Sequence, residues 1–207
     1  MSEDTWSQTY SGCVFDYADM EHNVFDLEDI AHHLALTNRY GGATFWPYSV
    51  AQHSAALAHL IFERHDDPEW ALYALFHDAA EAYTHDIRRP LKGMLPEYQR
   101  IEARVLRALL NSMRAQGFPI PVKEPPRMKE YDTRITLDEK DYLMRPCERR
   151  WSVEDRKPLQ ADVSLFVKMP FEVAKSLWLA SVTRYSEIVR ARRELGLNVV
   201  RPAFGQR

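Results

Sequence analysis

Apolar positions along the 207-residue chain recur mostly at helical spacing, with short polar connections between the periodic stretches. Asp26 is placed to cap a first helix through Leu27, Ile30, Ala31, Leu34 and Ala35, ending near Asn38 ahead of Gly41-Gly42. Ser49 and Gln52 stand in capping-box spacing, and Val50, His53, Leu57, Leu60 and Ile61 then share one face. Asp67-Pro68 opens a third helix that runs on through His77, Asp78 and Glu81. Pro96 opens another, with Ile101, Val105, Leu106, Leu109 and Met113 as its apolar set and Gly117 as a C′ residue. A linker precedes a helix over 127–143, and 170–195 reads as a long amphipathic helix burying Val173, Leu177, Leu179, Val182, Tyr185 and Val189. Residues 1–25 read as irregular or short extended structure anchored by Trp6, Tyr10, Phe15 and Tyr17, and 145–168 as a polar excursion from the core. There is no internal repeat, and the strand signal is too weak for a βαβ fold. The pattern predicts one all-α domain over 1–207, a bundle of five main helices plus short extra ones.

Composition changes this picture little. Hydrophobic content of 45% and charged content of 28% suit a soluble globular chain. A net charge of −3 gives no general attraction to nucleic acid or to an acidic membrane, so neither is an expected partner, and an anionic substrate would need local Lys and Arg. Cys13 and Cys147 have no metal-type spacing and read as free thiols of a reducing compartment. Met1-Ser2-Glu3-Asp4 begins no apolar leader, and no run approaches the roughly 20 apolar residues of a membrane span; a cytoplasmic location is expected.

Candidate chemistry centres on the segment "ALFHDAAEAYTHDIRRPLK" at 74–92, where His77 and Asp78 interrupt an apolar run and Glu81 follows three residues later. Burying these groups costs several kcal/mol unless something compensates them. A salt-bridged core is one answer and a metal ion is another. Glu81 lies three and four residues from Asp78 and His77, so the three can serve one cavity. His53 and Asp132 complete a set of two imidazoles and two carboxylates, suited to one divalent transition metal ion (Co, Mn, Zn, Fe or Ni, with Mg as a further option). Without thiolates, such a site is expected to keep open positions for catalysis. Asp138 and Asp141 share the helix of Asp132, but Tyr131 and Ile135 set Asp132 near the apolar face while the other two read as solvated.

His53, His77-Asp78 and Asp132 match the pattern of HD-domain metal-dependent phosphohydrolases, and the chain resembles that family over 26–143. The segment 77–92, with "DLEDIAHHLALTNRYGG" and "YSVAQHS" upstream, is similar to the branch of bacterial 5′-deoxynucleotidases and phage and bacterial deoxynucleoside triphosphohydrolases. The resemblance implies that His53, His77, Asp78 and Asp132 hold the metal, that Glu81 assists the attacking water, that Asp86 lies near the sugar, and that Arg39 and Lys92 contact phosphate. It also implies a homo-oligomer. The loop from Arg39 to His53 departs by about one residue, Tyr40 stands at an aromatic position, and 145–168 has no counterpart.

The implied function is metal-dependent hydrolysis of a deoxynucleotide 5′-phosphate ester. A triphosphate, with a dATP-type purine, leads because Arg88, Arg89 and Lys92 beside Arg39 supply more charge than one phosphate requires. Monophosphate is the close alternative, and a metal-bound sensing or scaffolding domain without turnover is a second. Individual residues keep plainer readings: Glu81 paired with Arg88 or Arg89, those two arginines as competitors for phosphate, and Trp46 either under the base or in the core. His59 and His65 read as surface residues.

Overall fold

The computed structural model describes residues 4–197. The chain is mostly helical: α1 (Leu27–Leu36), α2 (Val50–His65), α3 (Pro68–Phe76), the single turns α4 (Glu81–Thr84) and α5 (Arg89–Lys92), α6 (Pro96–Ala115), α7 (Met128–Leu143) and α8 (Phe171–Glu194). Among the described residues six helices have nine or more residues, one beyond the expected five. Short 3-10 turns occupy Arg39–Gly42 and Val163–Phe166.

Local chemistry sets these boundaries. Asp26 accepts from the Glu28 and Asp29 N–H groups, and Ser49 and Gln52 form a reciprocal capping box. Asp67 accepts from the Trp70 N–H, with Pro68 in the first turn of α3. Gly117, at φ +92, follows α6 in the left-handed conformation that ends helices.

α2 lies along α3, α8 crosses α1, α2 and α3, and α7 touches α2. The buried stripe of α8 is Ala174, Trp178, Val182, Tyr185, Ser186 and Val189. Val173 and Leu177, expected in the core, are instead exposed. Trp178 takes the place of Leu177 because it fills the space beside α3: its ring meets Phe76 at 5.2 Å and its Nε1–H donates to the Leu75 carbonyl at 3.1 Å.

Residues 1–25 contain a hairpin of β1 (Trp6–Gln8) and β2 (Val14–Asp16), with Ser7 opposite Phe15. Phe15 is buried and Tyr17 packs partly on the core, whereas Trp6 and Tyr10 are exposed. The excursion at 145–168 is tied down rather than loose. Asp138, expected in solvent, is buried and accepts from the Leu159 and Ala161 N–H groups at 2.7 and 3.1 Å. Its carboxylate satisfies backbone donors that the irregular segment carries inward with Leu159 and Ala161. Asp141 is exposed, as expected. Cys13 and Cys147 are free and exposed. No helix among the described residues is long and apolar enough to cross a membrane.

Candidate metal centre

The third helix does not carry His77, Asp78 and Glu81 as one α-helix. Regular α3 stops at Phe76, and the chain then winds more tightly: the N–H groups of Ala79, Glu81, Ala82 and Tyr83 each bond three residues back. Such winding places residues three apart over one another, so Asp78 and Glu81 share a side more closely than α geometry would give. The break leaves carbonyls at the end of α3 to be satisfied. His77 Nδ1–H donates to the Ala74 carbonyl at 2.7 Å, and Trp178 serves Leu75. A polar group freed by the helix break thereby fixes the orientation of a candidate ligand.

His53 from α2 and Asp132 from α7 meet this turn. One ligand atom from each of His53, His77, Asp78 and Asp132 lies within 4.8 Å of all the others. His77 Nε2 is 3.1 Å from Asp78 Oδ2 and 3.8 Å from Asp132 Oδ1; His53 Nε2 is 3.3 Å from Asp132 Oδ1 and 3.7 Å from Asp78 Oδ2. Two bonds of about 2.0–2.2 Å to a shared ion subtend separations of this size. Both Nε2 atoms are buried without a hydrogen-bond partner, while both Nδ1 atoms are occupied behind them. The donors thus fit a divalent ion by number, type and spacing. His53 is fully buried, whereas Asp78 and Asp132 retain about a fifth of their side-chain exposure (23% and 21%), so the cluster opens on the carboxylate side.

Glu139, which the sequence reading passed over, holds the cluster from behind. It is completely buried; its Oε1 is 2.6 Å from His53 Nδ1 and accepts from Tyr48 OH at 3.0 Å, and its Oε2 accepts from Arg39 Nε at 3.2 Å and from the Tyr40 hydroxyl. Carboxylate partners of this kind fix the tautomer of a metal-binding histidine. The available signal was its spacing: Glu139 follows Asp132 by seven residues, two turns along the same helix face.

The cluster's charges are strongly interdependent. Burial works against charge on His77, yet Asp78 and Asp132 hold its pKa well above the ordinary value. At His53, burial and Arg39 oppose charge, and Glu139 and Asp132 outweigh them, raising the pKa. Against the effect of burial, His77 pulls Asp78 down to about 2, and the two histidines hold Asp132 well below the carboxylate range. Glu81 differs: burial, then the charges of Asp78 and Asp86, push its pKa well above the usual range. Its Oε2 is buried without a partner.

Arg39 is buried, with Nη1 3.4 Å from Asp78 Oδ2. Lys92 Nζ sits 2.6 Å from Glu102 and 3.9 Å from Glu81. Arg89 reaches the ligands more directly, with Nη2 3.6 Å from Asp132 Oδ2. Asp86 Oδ2 accepts from the Tyr40 N–H at 3.1 Å. The turn that positions Arg39 and Tyr40 passes through Gly41, where a Cβ would stand 2.7 Å from the Arg88 guanidinium. Trp46 is not brought into the constellation: it packs partly buried against the core with its ring near Phe45. His59 is a surface residue beside Glu63, whereas His65 is half-buried, bonded to the Tyr131 hydroxyl and stacked on Trp70.

No family model matches the chain. It is similar to the uncharacterized protein YfdR of Escherichia coli strain K12, at 39% identity over 98 residues, 47% of this chain and 52% of that protein. It is also similar to the uncharacterized protein RCAP_rcc00048 of Rhodobacter capsulatus, at 32% identity over 124 residues, 57% of this chain and 63% of that protein. The chain therefore spans about half to just under two thirds of the length of these curated relatives.

Proposed function

We propose that the protein is a metal-dependent phosphohydrolase of the HD-domain type that cleaves the 5′-phosphate ester of deoxynucleotides, with the triphosphate as leading substrate. The observation that carries this reading is the convergence of four metal-type donors on one partly open cluster, with Glu81 and the cations Arg39, Arg89 and Lys92 beside it. His53, His77, Asp78 and Asp132 would hold the ion. When bound, a divalent ion supplies Lewis acidity toward a phosphoryl oxygen and the attacking water.

The chain's own groups do the rest. Glu139 and the Ala74 carbonyl keep both Nδ1 atoms protonated and both Nε2 atoms directed at the cluster. Glu81 Oε2 is the buried oxygen available to orient water, and burial together with the charges of Asp78 and Asp86 favours the protonated carboxyl that would hold the water's proton. Arg39 and Arg89 offset charge that builds on the phosphoryl oxygens. Arg88 and Arg89, both exposed at this rim, favour a long anion. The pairing of Lys92 with Glu102 removes one cation from that count and favours a monophosphate as the second reading.

A product-resolved assay tests the proposal. Protein stripped of metal and reloaded with Co²⁺, Mn²⁺, Zn²⁺ or Mg²⁺ is offered each deoxynucleoside mono- and triphosphate, with Asp78→Ala as control. Intact triphosphate released from dATP is expected; orthophosphate from monophosphates alone would select the second reading. No hydrolysis by metal-loaded protein would overturn both and leave a sensing or scaffolding domain.

A further inference from the structure

Asp86 stands at a junction. On one side its Oδ2 holds the Tyr40 N–H, next to the residue that supplies Arg39 to the cluster. On the other it lines a cleft of about 610 Å³ between the N-terminal hairpin, the end of α1 and α4. That volume falls within the roughly 300–1,000 Å³ of small-molecule sites. The cleft has a different chemistry from the cluster. No lysine or arginine lines it; its polar groups are hydroxyls, amides, three imidazoles and one carboxylate, and Tyr10 and Tyr17 add aromatic surface. Among the described residues the side-chain amides of Gln8 and Asn38 and the imidazole of His85 make no hydrogen bond, so three groups that can read a heterocycle's edge are free at its wall. The cations are gathered beyond Asp86, where Arg39, Arg89 and Lys92 lie within 3.9 Å of Asp78, Asp132 and Glu81.

The turn joining the two compartments is strained. His85 has φ 65 and ψ 162, a conformation nearly reserved for glycine and costing about 1–3 kcal/mol. The Tyr98 hydroxyl secures it, 2.8 Å from the His85 carbonyl and 3.2 Å from that of Thr84. This conformation sets His85 on the cleft and Asp86 at the junction.

We propose that the cleft holds the neutral nucleoside end of the substrate, with Gln8, Asn38 and His85 reading the base while the phosphate end lies among the cations. The segregation of hydrogen-bonding amides and rings from cations matches a ligand that is a neutral heterocycle at one end and an anion at the other. The assignment rests on the deoxynucleotide reading above and deepens it by placing base discrimination on the hairpin and the end of α1.

The test uses nucleosides without phosphate, so it is independent of hydrolysis. Deoxyadenosine, deoxyguanosine, deoxycytidine and thymidine are titrated calorimetrically into the full-length Mn²⁺-loaded chain and into Gln8→Leu and Asn38→Leu. Both side chains are exposed and lie on different elements, so a folding defect in one leaves the other as a test. At least one nucleoside is expected to bind the wild type and to bind tenfold or more weakly to at least one variant. A smaller change in both variants, or no binding to the wild type at millimolar nucleoside, would overturn the assignment. Nucleoside binding without hydrolysis of any nucleotide would sink the enzymatic reading and leave the cleft standing.

Discussion

Two candidate ligands come from the bodies of long helices and two from a place where a helix gives way. His53 on α2 and Asp132 on α7 sit on regular faces, and Glu139, two turns beyond Asp132, braces His53. His77 and Asp78 sit just past the end of α3, on a tightly wound turn whose freed carbonyls are taken by His77 itself and by Trp178. The first pair depends on helix packing, which many apolar contacts share. The second depends on a few specific hydrogen bonds. One side of the site is thus set by shared packing and the other by single hydrogen bonds, and each substitution probes one of the two.

The largest effect is expected at the ligands: Asp78→Ala and Asp132→Ala should each weaken divalent-metal binding by more than about 100-fold, measured by competition with a chelating dye. If only one did so, the two halves would not share an ion. Next, Trp178→Ala should cost about 3–5 kcal/mol in urea unfolding, through the emptied core and the orphaned Leu75 carbonyl. Glu139→Gln should weaken metal binding by about 10–100-fold, because the amide cannot serve His53, Tyr48, Tyr40 and Arg39 as the carboxylate does. An equal affinity would show that packing alone orients His53.

The smallest effect is a pH dependence of the metal's contribution to stability. Without metal, the raised pKa values of His53 and His77 contribute stability present below their unfolded values and lost as pH rises through the folded ones. The lowered values of Asp78 and Asp132 contribute stability present above the unfolded carboxylate range and lost as pH falls toward about 2. Metal needs the histidines neutral. The rise in Tm on adding metal should therefore grow as pH climbs through the ordinary histidine value toward the raised folded ones, as calorimetry would show; a constant rise would mean that no histidine proton is displaced.

The same contrast explains what was legible in the sequence. Caps at Asp26, Ser49 and Asp67 are local, so helix starts could be read directly. The helices of His53 and Asp132 could be placed because their period runs undisturbed, whereas the choice of these two as ligands came from the resemblance. The end of α3 could not be placed, since the run of Ala79, Ala80 and Ala82 is as favourable to a continued helix as to a tighter one, and only tertiary contacts decide. Long-range pairing likewise hid the burial of Asp138, whose partners are backbone groups 21 and 23 residues away. Trp178 displaced Leu177 from the core because periodicity places a stripe only to within one residue, and the bulk of the indole settled it. Glu139 was overlooked because a glutamate in a charged helix ordinarily faces water.

The most direct test of a metal held by His53, His77, Asp78 and Asp132 is the metal content of the purified chain by elemental mass spectrometry. It would follow stripping, reloading with Mn²⁺ or Co²⁺ and desalting, with Asp78→Ala treated in parallel. About one ion per chain in the wild type and a negligible amount in the variant is the expected result. A wild type that retains no ion, or a variant that retains as much, would contradict the assignment and leave the cluster a buried network of imidazoles and carboxylates.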